Sequence, residues 1–257
     1  MQGSGMTVFK QAWAFATVSL CLFAVIAPAM AIDPSLPESH ASREVRVFDV
    51  LRDGDSIGKH RIELVRQDGR TEVLVDVKLE VGLGPIVLYR YEQTNREVWQ
   101  DGRFVSFHSV TNDDGDDWNV EADAGQNGIT VSVNGGSPEL VPARVATTYW
   151  NKATVEQPLL VGTQEGKPLS VTSTRVGTQR IVAEGREIDA MKYEMRGDLD
   201  IDLWYDENGR WVKLAFEYEG SQFDYVLLPP EYIETWTAKA TTALSGSPAP
   251  AQESEKD

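Results

Sequence analysis

The chain has 257 residues, with 24 Lys and Arg set against 40 Asp and Glu, a formal charge of −16 at pH 7 and a single cysteine. So acidic a chain repels phosphate backbones and argues against a nucleic-acid partner. It also disfavours an anionic membrane surface unless a local basic patch is present, and serves mainly solubility.

The first 31 residues read as an export signal. Lys10 precedes an apolar run from Ala12 to Ile26, Pro28 breaks it, and Ala29-Met30-Ala31 supplies a small-x-small cleavage pattern. The run is shorter than the ~20 residues a bilayer-spanning helix needs, so no stable membrane span is expected after cleavage. Cys21 lies inside the signal behind the bulky Leu20, which argues against a lipoprotein. The mature chain then holds no cysteine: no disulfide, no thiol nucleophile and no thiolate ligand. Removing residues 1–31 takes away one base, Lys10, and no acid, so the formal charge moves from −16 to −17. Export without disulfides points to the periplasm of a Gram-negative bacterium, or to secretion from one.

Residues 32–43, including "DPSLPESHAS", read as a linker, and residues 44–230 as a single β domain. Residues 231–257 end in "TALSGSPAPAQESEKD", too polar and proline-rich to bury a core, and read as a disordered tail.

Hairpin dipeptides punctuate the domain: Asp53-Gly54, Asp68-Gly69, Asp101-Gly102, Asn127-Gly128, Asn134-Gly135 and Asn208-Gly209. Between them lie segments rich in β-branched and aromatic residues. In "TEVLVDVKLEV", Val73, Val75, Val77, Leu79 and Val81 share one face, and Asp76, Lys78 and Glu80 the other. About twelve such segments and one short helix, at 142–147, predict an all-β fold. Its sheet is antiparallel and strongly curved, as a barrel, half-barrel or roll.

The stretch "LDIDLWYDENGRWVKLAFEYEGSQFDYVL" predicts its own register. With Asn208-Gly209 as a two-residue loop, Tyr205 faces Val212, Leu203 faces Leu214, Ile201 faces Phe216 and Leu199 faces Tyr218. With Gly220-Ser221 as the next loop, Tyr218 meets Phe223, Phe216 meets Tyr225 and Leu214 meets Leu227. On the other face Trp204 lies opposite Lys213, close enough for a cation–π contact. That face also carries Asp200 beside Glu217 and Glu217 beside Asp224, with Glu194 nearby. Like charges so placed need compensation. A bound cation on Asp200, Glu217 and Asp224 would supply it, as would a basic partner. A solvated face with an arginine reaching over is the plainer account.

Catalytic grammar is sparse. His40 falls in the linker, and His60 and His108 read as lone strand histidines without metal-site spacing. "TNDDGDDWN" fails the calcium-loop pattern and reads as a charged hairpin tip. No G-x-S-x-G elbow or phosphate loop occurs. Ser56-x-x-Lys59 lacks its partner motifs, and "RGD" at 196–198 reads as a turn. No cofactor is expected. Acids and seven tryptophans leave a hydrolase open, but no spacing argues for one. "ATTYWN", residues 146–151, begins at the end of the expected helix; it reads as an aromatic plug at a corner of the β-fold, or as a wall of a ligand groove.

The segments "VFDVLRDGDSIGKHRIELV", "YRYEQTNREVWQDGRFVSFHSVTNDDGDDWNVEA", "TTYWN" and "LDIDLWYDENGRWVKLAFEYEG" resemble an exported proteobacterial family known as a domain of unknown function, over about residues 45–228. The resemblance implies an exported, mostly β protein and brings no reaction with it. Tyr149, Trp150, Asn151, Trp204, Tyr205 and Trp211 lie in the matching motifs and are the candidate ligand-binding residues. The leading expectation is a non-enzymatic module binding a hydrophobic ligand, a lipid or acyl chain, or an envelope partner. A periplasmic hydrolase or carbohydrate-active enzyme using carboxylates beside tryptophans is the alternative, and a filled scaffold a third.

Overall fold

A computed structural model describes residues 41–83 and 86–233. The expected signal peptide, most of the linker and nearly all of the tail lie outside the described residues. The described chain forms one antiparallel sheet of fourteen strands. In chain order β1 is Ser42–Arg52, β2 Asp55–Gln67, β3 Arg70–Leu83, β4 Ile86–Gln100, β5 Arg103–Asp113, β6 Asp116–Gly125, β7 Gly128–Val133 and β8 Glu139–Val141. After a short 3-10 helix at Lys152–Glu156 come β9 Leu159–Val161, β10 Pro168–Ala183, β11 Arg186–Gly197, β12 Ile201–Tyr205, β13 Trp211–Tyr218 and β14 Ser221–Leu227.

Two meanders, β1 to β8 and β9 to β14, join where β1 pairs with β14, so β8 and β9 are the edges of the sheet. Curvature brings those edges together through the chain that leaves β8. The Thr147 amide donates to the Val161 carbonyl at 2.8 Å and the Val161 amide to the Val145 carbonyl at 3.1 Å, around a parallel bridge between Ala146 and Val161. The result is a nearly closed barrel, the fold class expected from the turn rhythm. Closure disposes of the exposed strand edges that an open sheet would leave.

The turns show why the rhythm was readable. Asp53-Gly54, Asp68-Gly69, Asp101-Gly102, Asp114-Gly115, Asn134-Gly135, Glu184-Gly185 and Glu219-Gly220 all hold both residues at positive φ. That is the mirror-image turn whose twist matches paired strands. Two expected turn dipeptides behave differently. At Asn127-Gly128 the loop is Gln126-Asn127, and Gly128 already opens β7 at φ 152, where an added Cβ would lie 2.1 Å from the Val141 carbonyl oxygen. Asn208-Gly209 sits inside a longer loop, in which the Asp206 carboxylate accepts from the amides of Asn208 (3.0 Å) and Arg210 (2.8 Å).

The predicted register holds at Leu203 opposite Leu214 and Trp204 opposite Lys213. The longer loop then forces a bulge, and Tyr205 pairs with Trp211 instead of Val212. At the next hairpin the turn is Glu219-Gly220, so the pairing shifts by two: Phe216 faces Phe223 and Leu214 faces Tyr225. A two-residue shift leaves every side chain on its predicted face. No helix forms at 142–147, because Val145 and Thr147 are bonded to β9. The helical turn falls after "ATTYWN", where the Asn151 side chain caps it by accepting from the Ala153 amide at 2.9 Å.

One end of the barrel is packed solid by Leu64, Val73, Trp99, Phe104, Ile129 and Leu160, all buried in a single hydrophobic cluster. Among the described residues no helix is long and apolar enough to cross a membrane.

Candidate functional site

The other end of the barrel encloses a cavity of about 840 Å³. Its position follows from β3. Val73 is in the packed core, whereas Val75, Val77, Leu79 and Val81, the next inward residues, line the cavity. Ile57, His60 and Ile62 of β2 continue the wall, and Trp211, Phe216, Phe223 and Tyr225 face them from β13 and β14. Tyr218, 62% exposed, and Tyr89, 36% exposed, mark the mouth.

Against this apolar wall stands one polar rib. The inward residues of β4 are Tyr89, Tyr91, Gln93, Asn95 and Glu97, each directly opposite an apolar residue of β3: Val81, Leu79, Val77, Val75 and Val73. Glu97 is 0% exposed, at the inner end of the rib. Its Oε2 accepts from the indole N–H groups of Trp99 and Trp150, each at 3.0 Å, and its Oε1 from the Asn95 amide at 3.0 Å. The Thr148 hydroxyl donates as well. Burial raises the Glu97 pKa, and these four donors, led by Trp150, oppose the rise by favouring the carboxylate.

His60 stands in an aromatic nest. Its ring packs edge-on against Trp211 at 5.5 Å, Tyr225 at 5.7 Å and Phe48 at 6.2 Å, and its Nε2 has no hydrogen-bond partner. Burial alone pushes its pKa down to about 3, so it is neutral at physiological pH. The residue is part of the cavity lining.

At the mouth a hydrogen-bond chain clamps the seam. Tyr91 donates to Gln164 Oε1 at 3.3 Å, Gln164 donates to Asp113 Oδ2 at 2.9 Å, and Tyr89 donates to Asp113 Oδ1 at 2.7 Å. Gln164 belongs to the turn between β9 and β10, so this chain ties that turn to β4 and β5.

Of the candidates read from the sequence, Tyr149, Trp150 and Trp211 line the cavity. Tyr205 stands behind the wall, donating its hydroxyl to the Tyr149 carbonyl at 3.0 Å, and Asn151 is the helix cap. Trp204 is on the outer face, its indole N–H bonded to Gln179 at 2.9 Å and its ring covered by Lys192 and Lys213 at 5.4 and 5.1 Å. "ATTYWN" is therefore both plug and wall. The polar rib was missed, and His60, read as a lone strand histidine, lines the cavity. In "YRYEQTNREVW" both faces of the strand are polar, so no alternation marks the rib.

The acidic row resolves differently from the predicted one. Asp224 lies opposite Ala215 with Lys213 at 3.3 Å, and Glu217 lies opposite Gln222. Asp200 accepts from the Gly197 amide at 3.2 Å. Lys192 bridges Asp202 (2.7 Å) and Glu194 (2.9 Å), and Arg196 reaches Asp202 at 2.7 Å, so this side of the row is laced by cations of the chain itself. Asp200 and Glu217 border a shallow depression of about 330 Å³ that also includes Arg196; Asp224 does not border it. Among the described residues no group of three or more His, Cys, Asp or Glu is spaced to hold a metal ion.

Glu97 is poorly placed to work with Asp113 at the mouth. Asp113 pairs with Tyr91, six residues along β4 from Glu97. At about 3.3 Å per residue that is about 20 Å, beyond the 5–10 Å that glycoside cleavage needs.

A family model described as "Domain of unknown function (DUF6134)" matches residues 48–228, from β1 to just past β14. The chain belongs to this family. No curated protein matches it. Among solved structures it is similar to a beta-barrel-like protein of domain of unknown function DUF1849 from Brucella abortus, at 10% identity and a TM-score of 0.49, over 74% of this chain and 98% of that one.

Proposed function

We propose that this DUF6134 member is an exported, non-enzymatic binding protein that holds a small hydrophobic or amphiphilic molecule in its barrel. The observation that carries the reading is the cavity of about 840 Å³, walled by Val, Ile, Leu and aromatic side chains with one polar rib. A largely apolar concavity with few convergent polar groups is the usual form of a small-molecule site. The signal-like N-terminus and a chain without cysteine beyond it support the periplasm as its place of work.

The test is native mass spectrometry of the protein purified from periplasm, together with titration of a neutral apolar dye. An added mass lost on solvent extraction, and saturable dye binding to the extracted protein, are the expected results. Protein that is empty from several hosts and does not bind the dye overturns the reading.

A further inference from the structure

The inner end of the cavity has a polarity that selects the head group of what enters it; this inference rests on the binding reading above. Asn95 is 5% exposed and lines the cavity. Its amide group donates to Glu97 Oε1 at 3.0 Å, while its Oδ1 is buried and has no partner. That orientation suits Glu97 as an acceptor. The indole N–H groups of Trp99 and Trp150 are donors only, and with the Thr148 hydroxyl they hold Glu97 as a carboxylate acceptor. Turning the Asn95 oxygen toward that carboxylate would set two acceptors against each other.

The free group at this end is therefore an acceptor. On the next strand Ser109 pairs directly with Asn95, is itself 0% exposed, and its Oγ is also without a partner. A buried polar group left unpaired is costly, so a donor that reaches the Asn95 oxygen, on the one residue of this rung that lines the cavity, is stabilised. The four side chains that donate to Glu97 are all neutral. The cations lining the cavity are Arg52, next to the Asp53-Gly54 turn, and Lys167, in the turn that clamps the mouth. His60, deep in the wall, is neutral. The inner end is thus an acceptor, with the Glu97 carboxyl group behind it.

We propose that the cavity takes a long-chain amphiphile head first, and that the head is a hydrogen-bond donor without negative charge, an amine above a hydroxyl. A carboxylate or phosphate head would bring lone pairs against the Asn95 oxygen and charge toward Glu97.

Three probes of equal chain length separate the cases: dodecylamine, dodecanol and dodecanoate, each kept below its micelle concentration and read by displacement of the neutral dye. The amine should displace at about a tenfold lower concentration than dodecanoate, with dodecanol between. Asn95→Leu, which removes the acceptor, should weaken the amine about tenfold without weakening dodecanoate. Glu97→Gln should narrow the gap between amine and carboxylate; where it fails to fold by circular dichroism, Asn95→Leu decides alone. Dodecanoate binding as tightly as the amine, or a gap unmoved in every folded variant, overturns the head-group assignment. If neither the dye nor any probe binds, the binding reading itself falls.

Discussion

The indole N–H of Trp150 donates to Glu97 Oε2 at 3.0 Å across 53 residues of sequence. This bond joins the seam segment to the polar rib, and it shares Glu97 Oε2 with Trp99, whose ring meets that of Trp150 edge-on at 5.3 Å. A typical hydrogen bond contributes about 0.5–1.5 kcal/mol, and leaving a buried partner unsatisfied costs about 1–3 kcal/mol. Trp150→Phe should therefore lower the free energy of unfolding in urea by about 2 kcal/mol. Glu97→Ala, which strands both indoles and the Asn95 amide, should cost more than Trp150→Phe. Equal stability of Trp150→Phe and the native protein would show that the bond does not hold the seam.

Some of this was legible in the chain and some was not, for reasons that can be named. The alternation of Val73 to Val81 and the Asp-Gly turns reported an antiparallel sheet, because a strand with one face inward and a mirror-image turn each leave a local mark. The contact between Trp204 and Lys213 was legible for the same reason. The turns Glu184-Gly185 and Glu219-Gly220 were missed because glutamate is no turn former, although both glutamates adopt positive φ. Closure was not legible, since it depends on Val145 and Thr147 meeting Val161 through backbone atoms. The rib escaped because polar inward residues erase the alternation that marks a strand's buried face. Only the β3–β4 register shows Asn95 opposite Val75 and Glu97 opposite Val73.

Filling the cavity should separate binding from folding. Leu79 lines the cavity opposite Tyr91 and is only partly buried. Leu79→Trp places a large ring in open volume, where overpacking costs little compared with the 1–3 kcal/mol typical of a filled core. The expected outcome is a melting temperature within a few degrees of the native protein and dye affinity reduced about tenfold or more. Undiminished dye binding would place the dye elsewhere.

The seam can be loosened from outside the cavity. Gly166 sits at φ 72, and an added Cβ would meet the side chains of Val133 at 2.7 Å, Val131 at 3.0 Å and Val120 at 3.1 Å. Gly185 has nearly the same φ, 71, with nothing within 4 Å. Gly185→Ala thus measures the backbone strain alone, about 1 kcal/mol, whereas Gly166→Ala adds the clash and should cost about 2–3 kcal/mol. In Gly166→Ala the amides of Thr147 and Val161 should exchange with solvent faster than in Gly185→Ala. Identical exchange in the two variants would mean that the turn after β9 does not support closure.

His60 makes folding sensitive to mild acid. Its folded pKa of about 3 lies below its ordinary value of 6.5, so between those values the unfolded chain binds a proton that the folded chain does not. Stability therefore falls as pH drops through that window, and at about pH 4.5 the loss from this group is about 2–3 kcal/mol. Glu97 acts with the opposite sign. Its folded pKa is raised, so the stability it contributes below the ordinary carboxylate pKa is lost as pH rises. Carboxylates held low by arginine, such as Glu184 beside Arg210 and Glu72 beside Arg70, lose stability with His60 as pH falls. The native curve is thus a sum, and a substitution isolates the histidine. His60→Phe keeps an aromatic ring against Trp211 and cannot titrate. Urea unfolding at about pH 7 and about pH 4.5 should show a smaller acid loss in His60→Phe than in the native protein, by about 2–3 kcal/mol. The same loss in both proteins would mean that the ring takes up its proton inside the folded barrel.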